Sequence, residues 1–195
     1  MKNTFCALLL LAFLFQFKLQ AQETPNFGIG FKVGDLTGIS LKKYLGESAL
    51  EFNVGRVIRY RIPNYEKSFY KFKEFNDSEF EYLGHQTEAP LAVQLHFMKH
   101  RPIAGGLNWY YGIGAQARVF PINYLYSERT GPGQWIKKEK LKHLWKAGID
   151  WNLGLEYTFE SVPIGLYADV LLFMEIIDNP FVAHGMYGIG ARYNF

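Results

Sequence analysis

The stretch Ala147–Phe159, AGIDWNLGLEYTF, alternates without a break. Ile149, Trp151, Leu153, Leu155, Tyr157 and Phe159 fall on one parity. Asp150, Asn152, Gly154, Glu156 and Thr158 fall on the other. A period of two over this length is the signature of a strand with two unlike faces, and it leaves little room for a helix. The chain's last residues, Gly185–Phe195, do the same, with Tyr187, Ile189, Ala191, Tyr193 and Phe195 opposite Met186, Gly188, Gly190, Arg192 and Asn194. Leu107–Val119 sets Leu107, Trp109, Tyr111 and Ile113 against Asn108, Tyr110, Gly112 and Gly114.

Weaker alternation at Phe27–Gly34, Ile39–Leu45, Ala49–Arg59, Leu91–Met98 and Ile164–Phe173 brings the expected count to eight strands. The third of these loses its pattern near Arg56, where the strand ends or bulges. Gly46–Ser48, Lys99–Gly106 and Glu160–Pro163 are short to moderate connections, whereas Tyr60–Pro90 and Tyr124–Lys146 are long and Met174–His184 is intermediate. The short Asp35–Gly38 breaks the trend. Short turns at one end and long loops at the other describe an outer-membrane barrel: all-β, eight antiparallel transmembrane strands, short periplasmic turns and longer extracellular loops.

The first residues fit export. In Met1–Gln22, Lys2 precedes an apolar run from Phe5 to Phe15, and small Ala21 suits a cleavage site. Residues 1–21 are therefore expected to be a signal peptide and 22–195 the barrel domain. The run is too short for a spanning helix, which needs roughly 20 residues. Lys2, Lys18 and the only cysteine, Cys6, leave with it. The mature chain then carries 19 basic against 18 acidic residues, no global basic field for nucleic acid, and no disulfide or thiolate site.

Alternation alone also fits a soluble eight-stranded cup with its apolar face inside. Three features favour the opposite facing. The apolar face is bulky enough to overfill an eight-stranded interior. The polar face is rich in glycine (Gly112, Gly114, Gly154, Gly188, Gly190) and sparse in charge. Aromatics gather at strand ends (Tyr44, Trp109, Tyr157, Phe159, Tyr193, Phe195), as interfacial girdles do. The lumen then receives Lys32, Lys42, Arg118 and Arg192 with Glu51, Asp150, Glu156 and Asp169, four charges of each sign. Charges out of water must be paired. At eight strands the interior is just filled by side chains, so a salt-bridged plug is expected ahead of a selectivity filter or proton path.

These pieces resemble a family of small outer-membrane β-barrel proteins from Bacteroidetes-type bacteria, the porin-family or OMP-barrel proteins. The likeness rests on GIGFKVGDLTGISLKKYLGESALEFNVG (Gly28–Gly55), LNWYYGIGAQARVF (Leu107–Phe120), GIDWNLGLEYTFESVPIGLYADV (Gly148–Val170) and GIGARYNF (Gly188–Phe195), about half of the mature chain. The resemblance implies the outer membrane and the barrel fold, and no reaction. It also implies that Phe195 matches the terminal aromatic read by the barrel-assembly machinery.

An enzyme has to be weighed, since some eight-stranded barrels modify lipid A. A serine–histidine hydrolase needs the two side chains within hydrogen-bond reach. None of His85, His96, His100, His143 and His184 has a serine two residues on along a strand face, and Ser127 with His143 in one loop is the nearest approach to such a set. His96 is expected as a lumen hydrogen-bonder, and His100 and His143 as solvated. No metal-ligand spacing is present. Gly112-Ile113-Gly114 and Gly188-Ile189-Gly190 lie within strands, so they are expected to make room rather than bind a nucleotide. Gln134–Lys146 holds five lysines against one glutamate, with Trp135, Ile136, Leu141, Leu144 and Trp145 at near-helical spacing. It reads as a basic amphipathic loop against lipopolysaccharide or a partner, or as a solvated loop. The expectation is a non-enzymatic protein without cofactor or metal, its outer loops touching lipopolysaccharide or a protein partner. A lipid A-modifying enzyme and a narrow passive pore are the alternatives.

Overall fold

The computed structural model describes residues 25–58, 64–75, 78–178 and 180–195. The expected signal peptide, 1–21, lies outside them. Strands β1 (Phe27–Gly34), β2 (Leu36–Leu45), β3 (Ser48–Val57), β5 (Leu91–Ala104), β6 (Leu107–Gly131), β7 (Gln134–Thr158), β8 (Ile164–Ile177) and β9 (Ala183–Asn194) pair antiparallel around a closed ring. β1 closes it against β9, with Gly28 opposite Asn194 and Gly34 opposite Gly188. The seam is fastened where the Phe27 N–H donates to the Phe195 carbonyl at 2.9 Å and the Phe195 N–H donates to the Phe27 carbonyl at 2.8 Å. Closure removes every sheet edge from the ring.

Phe27, where β1 begins, and Phe195 lie together at one end of the barrel, here the near end. Its turns are tight. Gly46 and Glu47 join β2 to β3, and Gly105-Gly106, with φ of +41° and +79°, joins β5 to β6 in a conformation that suits a two-residue hairpin. The expected connection Lys99–Gly106 is thus mostly strand.

The far end differs from the loops expected there. Tyr124–Lys146 is no loop. β6 and β7 stay paired from Leu107↔Tyr157 to Gly131↔Gln134, 25 residues each, and project beyond the ring as one hairpin. Gln134–Lys146 is therefore strand, not helix. Its near-helical spacing is overruled by pairing with β6, because short apolar runs fit either period. The segment expected as the loop Tyr60–Pro90 contains helix α1 (Tyr65–Tyr70), a 3₁₀ turn (Lys73–Phe75) and strand β4 (Phe80–Thr87). β4 pairs with β6 beyond the point where β5 stops, so β4 and β5 are one strand line broken at Glu88–Pro90. Pro90 has no N–H to give, and Pro121 sits on β6 at the same break, between Val119 facing β5 and Ile122 facing β4.

α1 begins at Asn64, whose side chain accepts the Lys67 N–H at 2.8 Å. It lays Phe69, with Phe75 beyond it, on the inner face of the three-stranded extension against Tyr124, Tyr126, Phe120 and Ile122. Phe69 and Phe75 stack at 4.3 Å. This aromatic cluster is the only large apolar core among the described residues outside the ring.

Candidate functional site

Within the ring, parity sorts the side chains. Ile29, Phe31, Leu95, Ile113, Leu153, Leu155, Val170 and Ile189 are exposed on the outside. All eight charges expected in the lumen, Lys32, Lys42, Arg118, Arg192, Glu51, Asp150, Glu156 and Asp169, are buried, together with Asn53, Gln94, His96, Gln116, Asn152 and Asn194. A polar interior inside an apolar exterior inverts the arrangement of a soluble protein and satisfies a hydrocarbon surround. The chain is an eight-stranded barrel of membrane type.

The charges meet across the barrel. Arg192 donates to Glu51 at 2.5 Å and to Glu156 at 3.3 Å, and to Ser40 Oγ at 3.0 Å, with its guanidinium 4.1 Å from the Tyr167 ring centre. Lys42 also bonds Glu156 and lies 4.7 Å from the Tyr110 ring centre. Lys32 bonds Asp169 at 2.6 Å, and His96 faces Asp150 at 2.9 Å. Arg118 lies over the Phe173 ring at 4.1 Å and donates to Gln116 at 3.1 Å and to Met186 Sδ at 2.9 Å. Leu36, Val57, Ala92, Leu171, Phe173 and Met186 close the lumen towards the far end as an apolar layer.

Interior glycines make these pairs possible. Gly114 on β6 stands between His96 on β5 and Asp150 on β7, and a Cβ there would lie 2.1 Å from His96 Cδ2 and 2.6 Å from Asp150 Oδ1. Gly188 on β9, opposite Asp169 on β8, likewise leaves room for the Lys32 side chain to cross from its place opposite Gly190, the Gly188 Cβ position lying 2.4 Å from Lys32 Cε. The pair closes over the strand between because that strand has no side chain to interpose. Gly114→Ala is therefore expected to destabilise the barrel by about 1–3 kcal/mol, the usual cost of overpacking, read as a lower urea midpoint. Equal midpoints for Gly114→Ala and the parent protein would refute the arrangement.

Two further lumen charges escaped the sequence reading. Lys146 and Glu175 are both buried and bond at 2.9 Å, and Lys146 also bonds Asp178 at 2.9 Å. Both fall within expected connections, Tyr124–Lys146 and Met174–His184. The signal was parity, since Lys146 continues the series of Asp150 and Asn152, and Glu175 continues that of Asp169, Leu171 and Phe173. Asp178 is also held by Lys71, which ties the end of α1 to the β8–β9 loop. Burial raises the Asp178 carboxyl, but hydrogen bonds from Lys71 and Lys146 outweigh it and hold the group below its ordinary value.

Some expectations need correction. Tyr44 belongs to no outer girdle, because its hydroxyl turns inward to Glu156 and to Asn194 at 3.3 Å. His100 is not solvated. It packs at the near end of the lumen, 3.4 Å from Glu156. His143 is exposed. Ser127 faces Lys137 across the hairpin, whereas His143 faces Pro121. Six ladder positions, about 20 Å, separate the serine from the histidine. The lysines of Gln134–Lys146 are mostly engaged within the molecule, Lys138 with Glu128 at 2.8 Å, Lys140 and Lys142 with Glu74, and Lys146 as above.

No family model and no curated protein matches the sequence. Among solved structures, Neisserial surface protein A is 12% identical, over 87% of this chain and 93% of that one, with a TM-score of 0.45. Ail, the attachment invasion locus protein of Yersinia pestis, solved with the heparin analogue sucrose octasulfate, is 11% identical over 87% and 94%, with a TM-score of 0.37. OmpT, an outer membrane protein of Vibrio cholerae, is 14% identical over 90% and 62%, with a TM-score of 0.18. The barrel assignment rests on the strand order and facing described above.

Proposed function

We propose that this is an outer-membrane barrel without a catalytic task, whose lumen is a structural plug and whose far end contacts lipopolysaccharide or a protein partner. The observation that carries the reading is the division of labour along the axis. The lumen is occupied by interlocked ion pairs beneath an apolar layer. Exposed aromatic and apolar groups, Trp135, Ile136, Leu141 and Trp145, stand on the hairpin that projects beyond the ring. The near end, with its tight turns, then faces the periplasm.

Three measurements test it together. A protease site inserted at Gly133, the tip of the hairpin, should be cut on intact cells, and one at Glu47 should be protected. Purified protein in planar bilayers should give no conductance steps, and the lipid A mass spectrum of a deletion strain should match the parent. Conductance steps would favour the pore, and an altered lipid A the enzyme.

Phe195 is proposed as the residue read by the barrel-assembly machinery. It is exposed beside the β1–β9 seam, its ring 5.4 Å from Phe27. Phe195→Ala should reduce the heat-modifiable band on unboiled gels, and full assembly of that variant would remove the assignment.

A further inference from the structure

The outward rim at the near end is divided into two sectors. On β6, β7, β9 and β1 it carries rings: Trp109 with Tyr111, Tyr157, Tyr193, and Phe27 beside Phe195. On β2 and β5 it carries cations. Lys43 shares the outward parity of Ile39 and Leu45, and Lys99 and Arg101 continue that of Leu95 and Phe97. All three are exposed. Among the described residues, no other charged side chain stands on the outward parity of the ring strands at this end.

The three cations are neighbours. Lys43 faces Leu50 on β3, and Lys99 faces Ser48, two residues closer to the rim. Ladder spacings put Lys43 and Lys99 about 12 Å apart along the sheet, a gap that two lysine side chains can close on one phosphate. Across the next ladder Lys99 faces Tyr111 and Arg101 faces Trp109, whose rings stack at 5.1 Å. Arg101 is partly neutralised, because it donates to Glu47 at 3.0 Å. Lys43 and Lys99 pair with no carboxylate among the described residues. The far end differs, since Lys138, Lys140 and Lys142 are held there by Glu128 and Glu74. A lysine rooted in an apolar belt lays its stem along the lipid and carries its ammonium to the headgroups. Near an anionic surface each such cation strengthens binding about fivefold.

We infer that the β2–β3–β5 sector of the near-end rim binds anionic phospholipid, the headgroup phosphate taken up between Lys43 and Lys99 with Arg101 beside them. The inference rests on the outer-membrane reading above, which turns this end to the periplasm and away from lipopolysaccharide. The aromatic sector has no cation and takes zwitterionic and anionic lipid alike.

Trp109 stands beside Arg101 and reports on this sector, whereas Trp151 stands outward on β7, where the near end offers Tyr157 and no cation. Single-tryptophan proteins, the other tryptophans changed to Phe, would be folded into phosphatidylcholine vesicles holding a minor share of phosphatidylglycerol. Bromine would be carried on the acyl chains of one lipid class or of the other, and insertion would be checked by heat-modifiability. At low salt, brominated phosphatidylglycerol should quench Trp109 about fivefold more effectively per molecule than brominated phosphatidylcholine does. Trp151 should be quenched equally by the two. Lys43→Gln together with Lys99→Gln should make the two lipids equal at Trp109. So should about 1 M salt, where the screening length falls to about 3 Å. Equal quenching of Trp109 at low salt, a preference that survives loss of both lysines, or the same preference at Trp151 would overturn the inference while leaving the barrel in the membrane. Quenching of Trp151 by neither lipid would instead defeat the membrane reading, and the inference with it. The salt titration keeps both lysines, so the test stands even if the double variant does not fold.

Discussion

Arg192→Leu is expected to destabilise the folded barrel by about 3–5 kcal/mol, the range for removing one partner of a buried ion pair. Arg192 is 1% exposed and is the hub through which Glu51 and Glu156 are neutralised, at 2.5 and 3.3 Å. Leucine would leave Glu51 facing a low-dielectric interior without its nearest cation, while Glu156 would keep Lys42. The asymmetry makes a further comparison informative. Replacing Arg192 and Glu51 together should cost less than Arg192→Leu alone, since no charge is then stranded. Urea titration in vesicles, followed by the heat-modifiable band, reads both. A double variant less stable than the single one would mean that Glu51 is stabilised by something other than Arg192.

Ile189→Lys should cost about 2–4 kcal/mol by the opposite route, exposure of a charge to lipid near mid-depth. Ile189 lies three residues before Arg192 on β9, on the opposite parity, and is 61% exposed. The two substitutions probe the two sides of one strand. The lysine variant should fold less well into vesicles than the parent, and the loss should shrink for lysine placed at the near-end rim, where a long side chain reaches the interface. If Ile189→Lys and Arg192→Leu both assembled with parental stability, the facing of β9 would be wrong.

The helix-bearing segment is fastened to the ring by its aromatic cluster and by the Lys71–Asp178–Lys146 chain.

Which residues face inward was legible in the sequence, because facing in a strand is a local, period-two property. Asp150 and Glu156 declare their side by their distance from Trp151 and Leu155, whatever they later touch. The same rule places Lys146 and Glu175 inside, because their strands run on past the expected ends. Which charge meets which was not legible. Lys32 and Asp169 are 137 positions apart and Arg192 and Glu51 are 141, so each pairing depends on ring closure and on the register of several intervening ladders. His96 reaching Asp150 depends further on Gly114 being the residue that the register puts between them. The projecting hairpin was hidden for a related reason. Gln134–Lys146 carries apolar residues that fit either a helical or an extended period, and the partner that settles the matter, β6 beyond Pro121, lies across the turn. Local alternation determined the two faces of this barrel; only the closed sheet, by bringing distant strands into register, decided its ion pairs and its projecting hairpin.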